Sequence, residues 1–247
     1  MKINIFGILI DNVKKEELLL KISSFLEDGK RHFLATPNPE IVLSAQKDEE
    51  FRTILNRTDI AIPDGFGLIL ASYYLKTPLG DRITGVDLML EICKIGEDKR
   101  KSVYLLGGEK GIAEKTAKVL IDKFPKIKIV GAESGGKIEK ENLKDENLLK
   151  KINEKNPDII FVALGGLKQE KWIDVNLKNL PSVKLAMGIG GAFDFISGKI
   201  KRAPLVMRKL GLEWLFRLFL EPRRIKRIFN ATVRFSYRVI AVGRNYK

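Results

Sequence analysis

Residues 159–187, IIFVALGGLKQEKWIDVNLKNLPSVKLAM, decide the fold. The run Ile159–Leu164 is apolar without interruption, as expected of a strand buried on both faces. Gly165 and Gly166 break it, and Gln169–Leu180 then places apolar residues at helical spacing before a second run, Val183–Met187, apolar but for Lys184. Strand, glycine turn, helix and strand in succession is the pattern of parallel strands joined by a crossover helix. Outward from this unit the alternation recurs over residues 1–198. Further candidate strands are Ile3–Ile10, Phe33–Thr36, Ile60–Ile62, Val103–Leu106 and Ile127–Val130; candidate helices are Glu16–Glu27, Pro39–Leu55, Val86–Cys93 and Ile112–Phe124. The expected architecture is α/β: a Rossmann-like, mostly parallel sheet with flanking helices, without internal repeats or low-complexity linkers.

In open parallel sheets ligands sit beyond the carboxyl ends of the strands, so the residues just after each strand are the ones to inspect. They read Thr36-Pro37-Asn38-Pro39-Glu40, Pro63-Asp64-Gly65, Gly107-Gly108-Glu109, Gly165 to Glu170, and Gly188 to Asp194. Glycines there let backbone N–H groups approach a diphosphate, although a tight strand-to-helix turn needs glycine in any case. The Walker pattern and the full dinucleotide fingerprint are both missing, which disfavours ATP hydrolysis and NAD chemistry. Asp64, between Pro63 and Gly65, is placed to act as a general base on a hydroxyl; the alternative is a turn aspartate capping the next helix. Thr36 and Asn38 have the character of substrate-positioning groups, or of caps ahead of Glu40. Asp194 precedes Ser197-Gly198-Lys199, so it can accept from a nucleoside while Lys199 meets phosphate; an ordinary loop is the alternative. With no Asp-x-Asp pair and His32 as the only histidine, which reads as structural, the usual ligands of a protein-built divalent metal site are lacking.

Charge divides the chain. The 247 residues carry a formal net charge of +14, and residues 199–247 hold 14 Lys or Arg against Glu213 and Glu221, leaving the preceding 198 residues nearly neutral. Two parts are expected: a catalytic core, 1–198, and a helical appendage, 199–247, that meets an anionic partner. On a helical wheel Arg223–Ile240 gathers Arg223, Lys226, Arg227, Asn230, Arg234 and Arg238 on one side and Ile225, Ile228, Phe229, Thr232, Val233, Val239 and Ile240 on the other. Such a helix lies in the interface of an anionic membrane, the alternatives being a hairpin packed on the core or a nucleic-acid-binding tail. Leu205–Leu220 is apolar almost all round apart from Lys209, Glu213 and Arg217, and needs burial in protein or lipid. No apolar stretch reaches the roughly 20 residues of a membrane span, Ile3–Ile10 is too short for an export signal, and the lone Cys93 fits a reducing cytoplasm. The expected location is therefore cytoplasmic, peripheral on the inner face of the cell membrane; the sequence leaves homo-oligomer formation open.

With these residues assembled, the chain resembles the WecG/TagA/CpsF glycosyltransferase family over essentially its whole length. The likeness rests on Ala35-Thr36-Pro37-Asn38-Pro39-Glu40, Ile62-Pro63-Asp64-Gly65, Asp81-Arg82 with Gly85-Val86-Asp87, Leu105-Leu106-Gly107-Gly108, Leu164-Gly165 with Lys168-Gln169-Glu170, and Gly190-Gly191-Ala192-Phe193-Asp194 running to Lys201-Arg202-Ala203-Pro204. It implies an inverting, metal-independent transfer of N-acetylmannosamine from its UDP donor to undecaprenyl-diphospho-GlcNAc, as in the linkage unit of wall teichoic acid, with no cofactor. Relatives of this kind also use an N-acetylmannosaminuronate or a plain hexose donor. Carried over, Asp64 looks like the general base, and Thr36, Asn38 and Gln169 hold the sugars. Arg82 helps bind the donor, Asp194 contacts the uridine, and the strand-end glycines Gly107, Gly108 and Gly165 face the donor. The carboxyl-terminal Arg217, Arg224 and Arg227 are expected to close over the diphosphate. The chain departs from the family pattern at Leu167, where proline is common, and at Ser134-Gly135-Gly136-Lys137.

Overall fold

The computed structural model describes residues 1–136 and 143–242, so Lys137 lies outside the described residues. The chain opens with β1 (Lys2–Ile5) and β2 (Ile8–Asp11), an antiparallel pair, where one strand was expected over Ile3–Ile10. Phe6 and Gly7 take φ of 51° and 81°, which turns the chain back on itself, and Asn4 Oδ1 accepts from Gly7 N–H to hold the turn. There follow α1 (Lys15–Phe25), β3 (His32–Ala35), α2 (Pro39–Ala45), α3 (Glu49–Arg57), β4 (Ile60–Ala61), α4 (Phe66–Tyr74), α5 (Gly85–Asp98), β5 (Ser102–Gly107), α6 (Ile112–Lys123) and β6 (Lys128–Glu133). The core continues with α7 (Glu146–Lys155), β7 (Ile159–Ala163), α8 (Lys168–Asn176), β8 (Leu185–Gly188) and α9 (Ala192–Ile196). The expected single helix Pro39–Leu55 is two, because Asp48 accepts from Phe51 N–H and starts α3 afresh.

Six strands form one sheet in the order β4-β3-β8-β7-β5-β6, every pair parallel. This is the α/β architecture the sequence called for, and it brings all six carboxyl ends to one edge. Helices α1, α5, α6 and α9 cover one face through Leu18, Ile22, Leu88, Ile92, Leu120 and Phe193. The other face is packed by α3, α7 and α8 through Ile54, Leu148, Ile152, Trp172 and Ile173. A third apolar cluster lies to the side of the sheet, where the β1–β2 pair meets α2 and α4.

The segment after residue 198 packs along the carboxyl edge as α10 (Leu205–Lys209), α11 (Glu213–Leu220), α12 (Ile225–Phe229), a π-turn over Asn230–Arg234, and α13 (Phe235–Val242). Gly211, at φ 74°, divides α10 from α11; a Cβ there would overlap the Phe66 ring, so the chain crosses against α4 where only glycine fits. The tail joins the side cluster through Phe235, which meets Phe6 edge-on at 6.1 Å, and Val239. The apolar face is thereby divided: Val239 is buried, whereas Ile225, Phe229, Val233 and Ile240, expected to share its side, are exposed. None of the helices in the described residues is long and apolar enough to cross a membrane.

Candidate active site

Three adjoining lobes of about 250, 410 and 590 Å³ form a cleft over the carboxyl ends of the strands, with Arg224 and Arg227 walling all three. Asp64 lies on the floor shared by the first two lobes. Its backbone N–H donates to Pro37 O at 2.8 Å, so the β3 and β4 exits are stitched together beneath it. Its Oδ2 accepts from Gly85 N–H at 3.3 Å, at the start of α5, and the helix that follows it, α4, has no side-chain cap. The capping alternative is therefore not realised on the next helix; the carboxylate faces the cleft. Burial raises its pKa to about 6 against the pull of Gly85 N–H; Glu213 adds to the rise, Arg82 opposes it and Asp87 adds a little more. A carboxylate tuned towards neutrality is suited to accept a proton at physiological pH.

Thr36 donates through Oγ1 to Gly188 O at 3.5 Å, linking the β3 and β8 exits. A methyl group at Gly85 would come within 3.3 Å of Thr36 Oγ1 and 3.5 Å of Asp64 Oδ2, so the two oxygens flank one small space. Asn38 does cap α2, Oδ1 accepting from Ile41 N–H at 3.0 Å, and it also lines the cleft. Gln169 is buried, with its carbonyl taken by Gly190 N–H at 2.9 Å and its amide nitrogen donating to Glu170 Oε1 at 2.7 Å. Arg82 lines the lobe with Asp64 and donates to Arg208 O in the tail at 2.8 Å.

The glycines divide by role. Gly107, at φ 111°, sits so close to β7 that a Cβ would lie 2.6 Å from the Ala163 carbonyl, which makes it a packing requirement of the sheet. Gly108, Gly165, Gly190 and Gly191 line the largest lobe beside Asp194 and Lys168. Lys199 bridges Glu109 at 2.7 Å and Asp194 at 3.3 Å, raising its own pKa and tying the two acids together at the rim.

The tail supplies the roof. Arg217 donates to Glu221 at 2.8 Å and stacks on Phe195 at 4.7 Å; Arg224 reaches the same Glu221 oxygen at 3.4 Å. Arg227 grips Glu40 of α2 through two nitrogens, each at 2.8 Å from a carboxylate oxygen. Burial and the like charges of Arg217 and Arg227 lower the pKa of Arg224, whereas the bond to Glu40 raises that of Arg227, so positive charge is crowded chiefly around Arg224. Such crowding favours a bound anion.

Arg202 and Asp87, two motif residues whose role is not evident in the sequence, tie the tail down with Thr84 and Glu213. Arg202 pairs with Asp87 at 2.7 and 3.0 Å, touches Thr84 at 3.3 Å and lies 3.6 Å from Glu213. Burial disfavours the Asp87 charge, but Arg202 and Thr84 outweigh it and its pKa is lowered. Glu213 thereby comes to the Asp64 lobe from the tail. His32, stacked on Phe25 at 3.6 Å between Asp28 and Asp59, is at the opposite end of β3 from the cleft.

A parallel α/β body with an acid on the cleft floor and a guanidinium roof defines an enzyme that handles an anionic substrate over its strand ends. The profile of the glycosyl transferase WecG/TagA/CpsF family matches residues 3–247, and the chain belongs to that family. Proteins of Staphylococcus aureus strains MRSA252 and NCTC 8325 named N-acetylglucosaminyldiphosphoundecaprenol N-acetyl-beta-D-mannosaminyltransferase are 34% identical to it over 248 aligned residues, covering 100% of this chain and 95% of theirs. The chain is thus a glycosyltransferase of the hexosyl-transferring kind.

Proposed function

We propose that the protein moves N-acetylmannosamine from UDP-N-acetylmannosamine to the GlcNAc of undecaprenyl-diphospho-GlcNAc, in wall teichoic acid synthesis or that of a related surface polysaccharide. The observation that carries this reading is the pairing of Asp64 on the floor with Arg217, Arg224 and Arg227 above it in one cleft. Asp64 takes the proton of the acceptor hydroxyl as its oxygen attacks the anomeric carbon. The bond from that carbon to the UDP oxygen breaks on the opposite face, inverting the centre, and the electron pair leaves on the diphosphate. The guanidinium groups meet that growing charge, doing the work a divalent cation does elsewhere, so the reaction needs no metal. Thr36 and Asn38 position the sugars beside Asp64 and Gln169 holds the β8 exit. Arg82 orients the donor, Gly108, Gly165 and Lys168 face its nucleotide half, and Asp194 and Lys199 form its rim. A nucleic-acid partner is not part of this reading, because the three arginines converge on the Asp64 cleft.

The acceptor's polyprenyl chain places the reaction at a bilayer, and the tail supports a seat on the anionic inner face. Its exposed side carries Phe219, Ile225, Phe229, Val233, Tyr237 and Ile240 beside Arg223, Lys226, Arg234 and Arg238. The deciding experiment offers UDP-N-acetylmannosamine, its uronate, UDP-GlcNAc and UDP-glucose with a short-chain lipid-diphosphate-GlcNAc and scores products by mass. Transfer of N-acetylmannosamine above all others is the expected result; preference for another donor moves the sugar assignment, and no transfer from any donor refutes the reading.

A further inference from the structure

Glu170 stands on the first turn of α8, 1% exposed, and no step of the transfer described above uses it. Its Oε1 accepts from Gln169 Nε2, while its Oε2 is buried and has no well-aligned hydrogen-bond partner among the described residues, only the backbone N–H groups of Leu167 and of its own residue nearby. Gln169 in turn accepts from Gly190 N–H. An amide side chain keeps its shape when rotated by half a turn, so something must choose which end faces which neighbour. Here two neighbours choose together: the Glu170 carboxyl oxygen draws the NH₂ group and the Gly190 N–H takes the carbonyl, so loss of the Glu170 acceptor leaves the NH₂ end of the amide unheld. In the rotated state carbonyl would face carboxyl oxygen and NH₂ would face the Gly190 N–H.

The packing around the pair leaves no slack. A Cβ at residue 188 would lie 2.8 Å from Gln169 Nε2 and 2.9 Å from Glu170 Oε1, so the two side chains press directly on the β8 backbone. Just before α8, Leu167 is held at φ 64° and ψ −47°, a strained conformation for a side-chain-bearing residue and one closed to proline. Strain of this kind persists where its surroundings fix it. On the other side of Gly190, Arg217 Nη2 lies 3.0 Å from where a Gly191 Cβ would be, so the turn that Gln169 holds is the surface on which Arg217 rests.

We propose that Glu170 is a positioning residue: by fixing the orientation of the Gln169 amide it locks the Gly190–Gly191 turn in the shape that seats Arg217 over the donor diphosphate. The proposal rests on the transferase reading. A purely structural acid would instead cost stability without acting through Gln169.

The test uses the full chain, short-chain acceptor and saturating UDP-sugar. Glu170→Leu is expected to lower kcat roughly 30-fold with donor KM within about threefold, as displacement of a group serving the transition state does. Glu170→Gln keeps an acceptor oxygen facing Gln169 and is expected to retain kcat within about threefold of wild type. The double variant Gln169→Leu/Glu170→Leu should be no slower than Gln169→Leu alone, because both break one relay. Amide hydrogen exchange at Gly190 reads the relay without any activity: protection should fall in Glu170→Leu and stay in Glu170→Gln. Should Glu170→Leu fail to fold, Gln169→Met with Glu170 intact must show the same kcat loss and the same deprotected Gly190. Additive losses in the double variant, an unchanged Gly190 in Glu170→Leu, or equal losses in the Leu and Gln variants would overturn the proposal. Inactivity of the wild type with intact Gly190 protection would count against the transferase reading alone.

Discussion

A free aspartate titrates at about 4, and Asp64 is raised to about 6 by burial, with Glu213 of the tail adding its charge. A general base works only when ionised, so kcat should be lost as pH falls through about 6 and should level off above it. Asp64→Asn is expected to lower kcat by about 10²–10⁴-fold and to leave UDP affinity near that of wild type. A pH–rate profile and calorimetric titration with UDP check both; full activity in Asp64→Asn removes this residue from the mechanism. Glu170 gives a stability counterpart. Burial raises it to about 7, against opposition from the Gln169 amide and the backbone N–H groups of its own residue and Leu167. Because the folded chain holds this proton more tightly than the unfolded one, its contribution is complete below the unfolded pKa of about 4.3. That contribution is lost as pH rises through about 7. The Tm of wild type relative to Glu170→Gln should therefore fall over that window and be flat above it; a pH-independent difference would contradict the assignment.

Among the elements, the last helix carries a test of how the tail is attached. Phe235 is fully buried against Phe6, at the other end of the chain, so Phe235→Ala should cost about 3 kcal/mol or more in urea unfolding. A cost under about 1 kcal/mol would mean that α13 is merely resting there. This contact also shows where sequence reading stopped. Strands β3, β5, β7 and β8 were legible because each is an apolar run, opened by His32 in β3 and by Ser102 in β5, that stops at turn-forming residues. The β1–β2 pair was not, since its turn is made by Phe6 at positive φ, which no propensity favours. The amphipathic tail was recognisable as a helix, but which part of its apolar face is buried depends on a hairpin more than two hundred residues away in the chain. The cleft divides the same way. Asp64, Thr36 and Asn38 stand at strand ends and announce themselves, whereas the grip of Arg227 on Glu40 and of Arg202 on Asp87 spans 187 and 115 residues and leaves no local trace.

The packing of the sheet and the roof of the cleft come from different parts of the chain. Among the described residues, the clusters on the two faces of the sheet contain none beyond 198, while the side cluster draws Phe235 and Val239 from the tail. Residues 1–198 should therefore fold on their own with a lower Tm, read by circular dichroism, because the sheet keeps both covered faces and only the side cluster loses its lid. The truncated chain should nevertheless turn over at under about 1% of the wild-type rate even on a water-soluble short-chain acceptor, since Arg217, Arg224 and Arg227, the groups proposed to meet the diphosphate, leave with the tail. The short-chain acceptor matters: it removes any need for a membrane, so the loss it reads belongs to the missing arginines and not to missing lipid contact. A full-length chain carrying Arg223→Gln and Lys226→Gln, two exposed cations away from the cleft walls, makes the converse comparison. It should keep turnover on the short-chain acceptor and bind vesicles containing phosphatidylglycerol more weakly, by about 1 kcal/mol for each charge removed. Wild-type turnover by residues 1–198 would show that the floor of the cleft suffices without its roof.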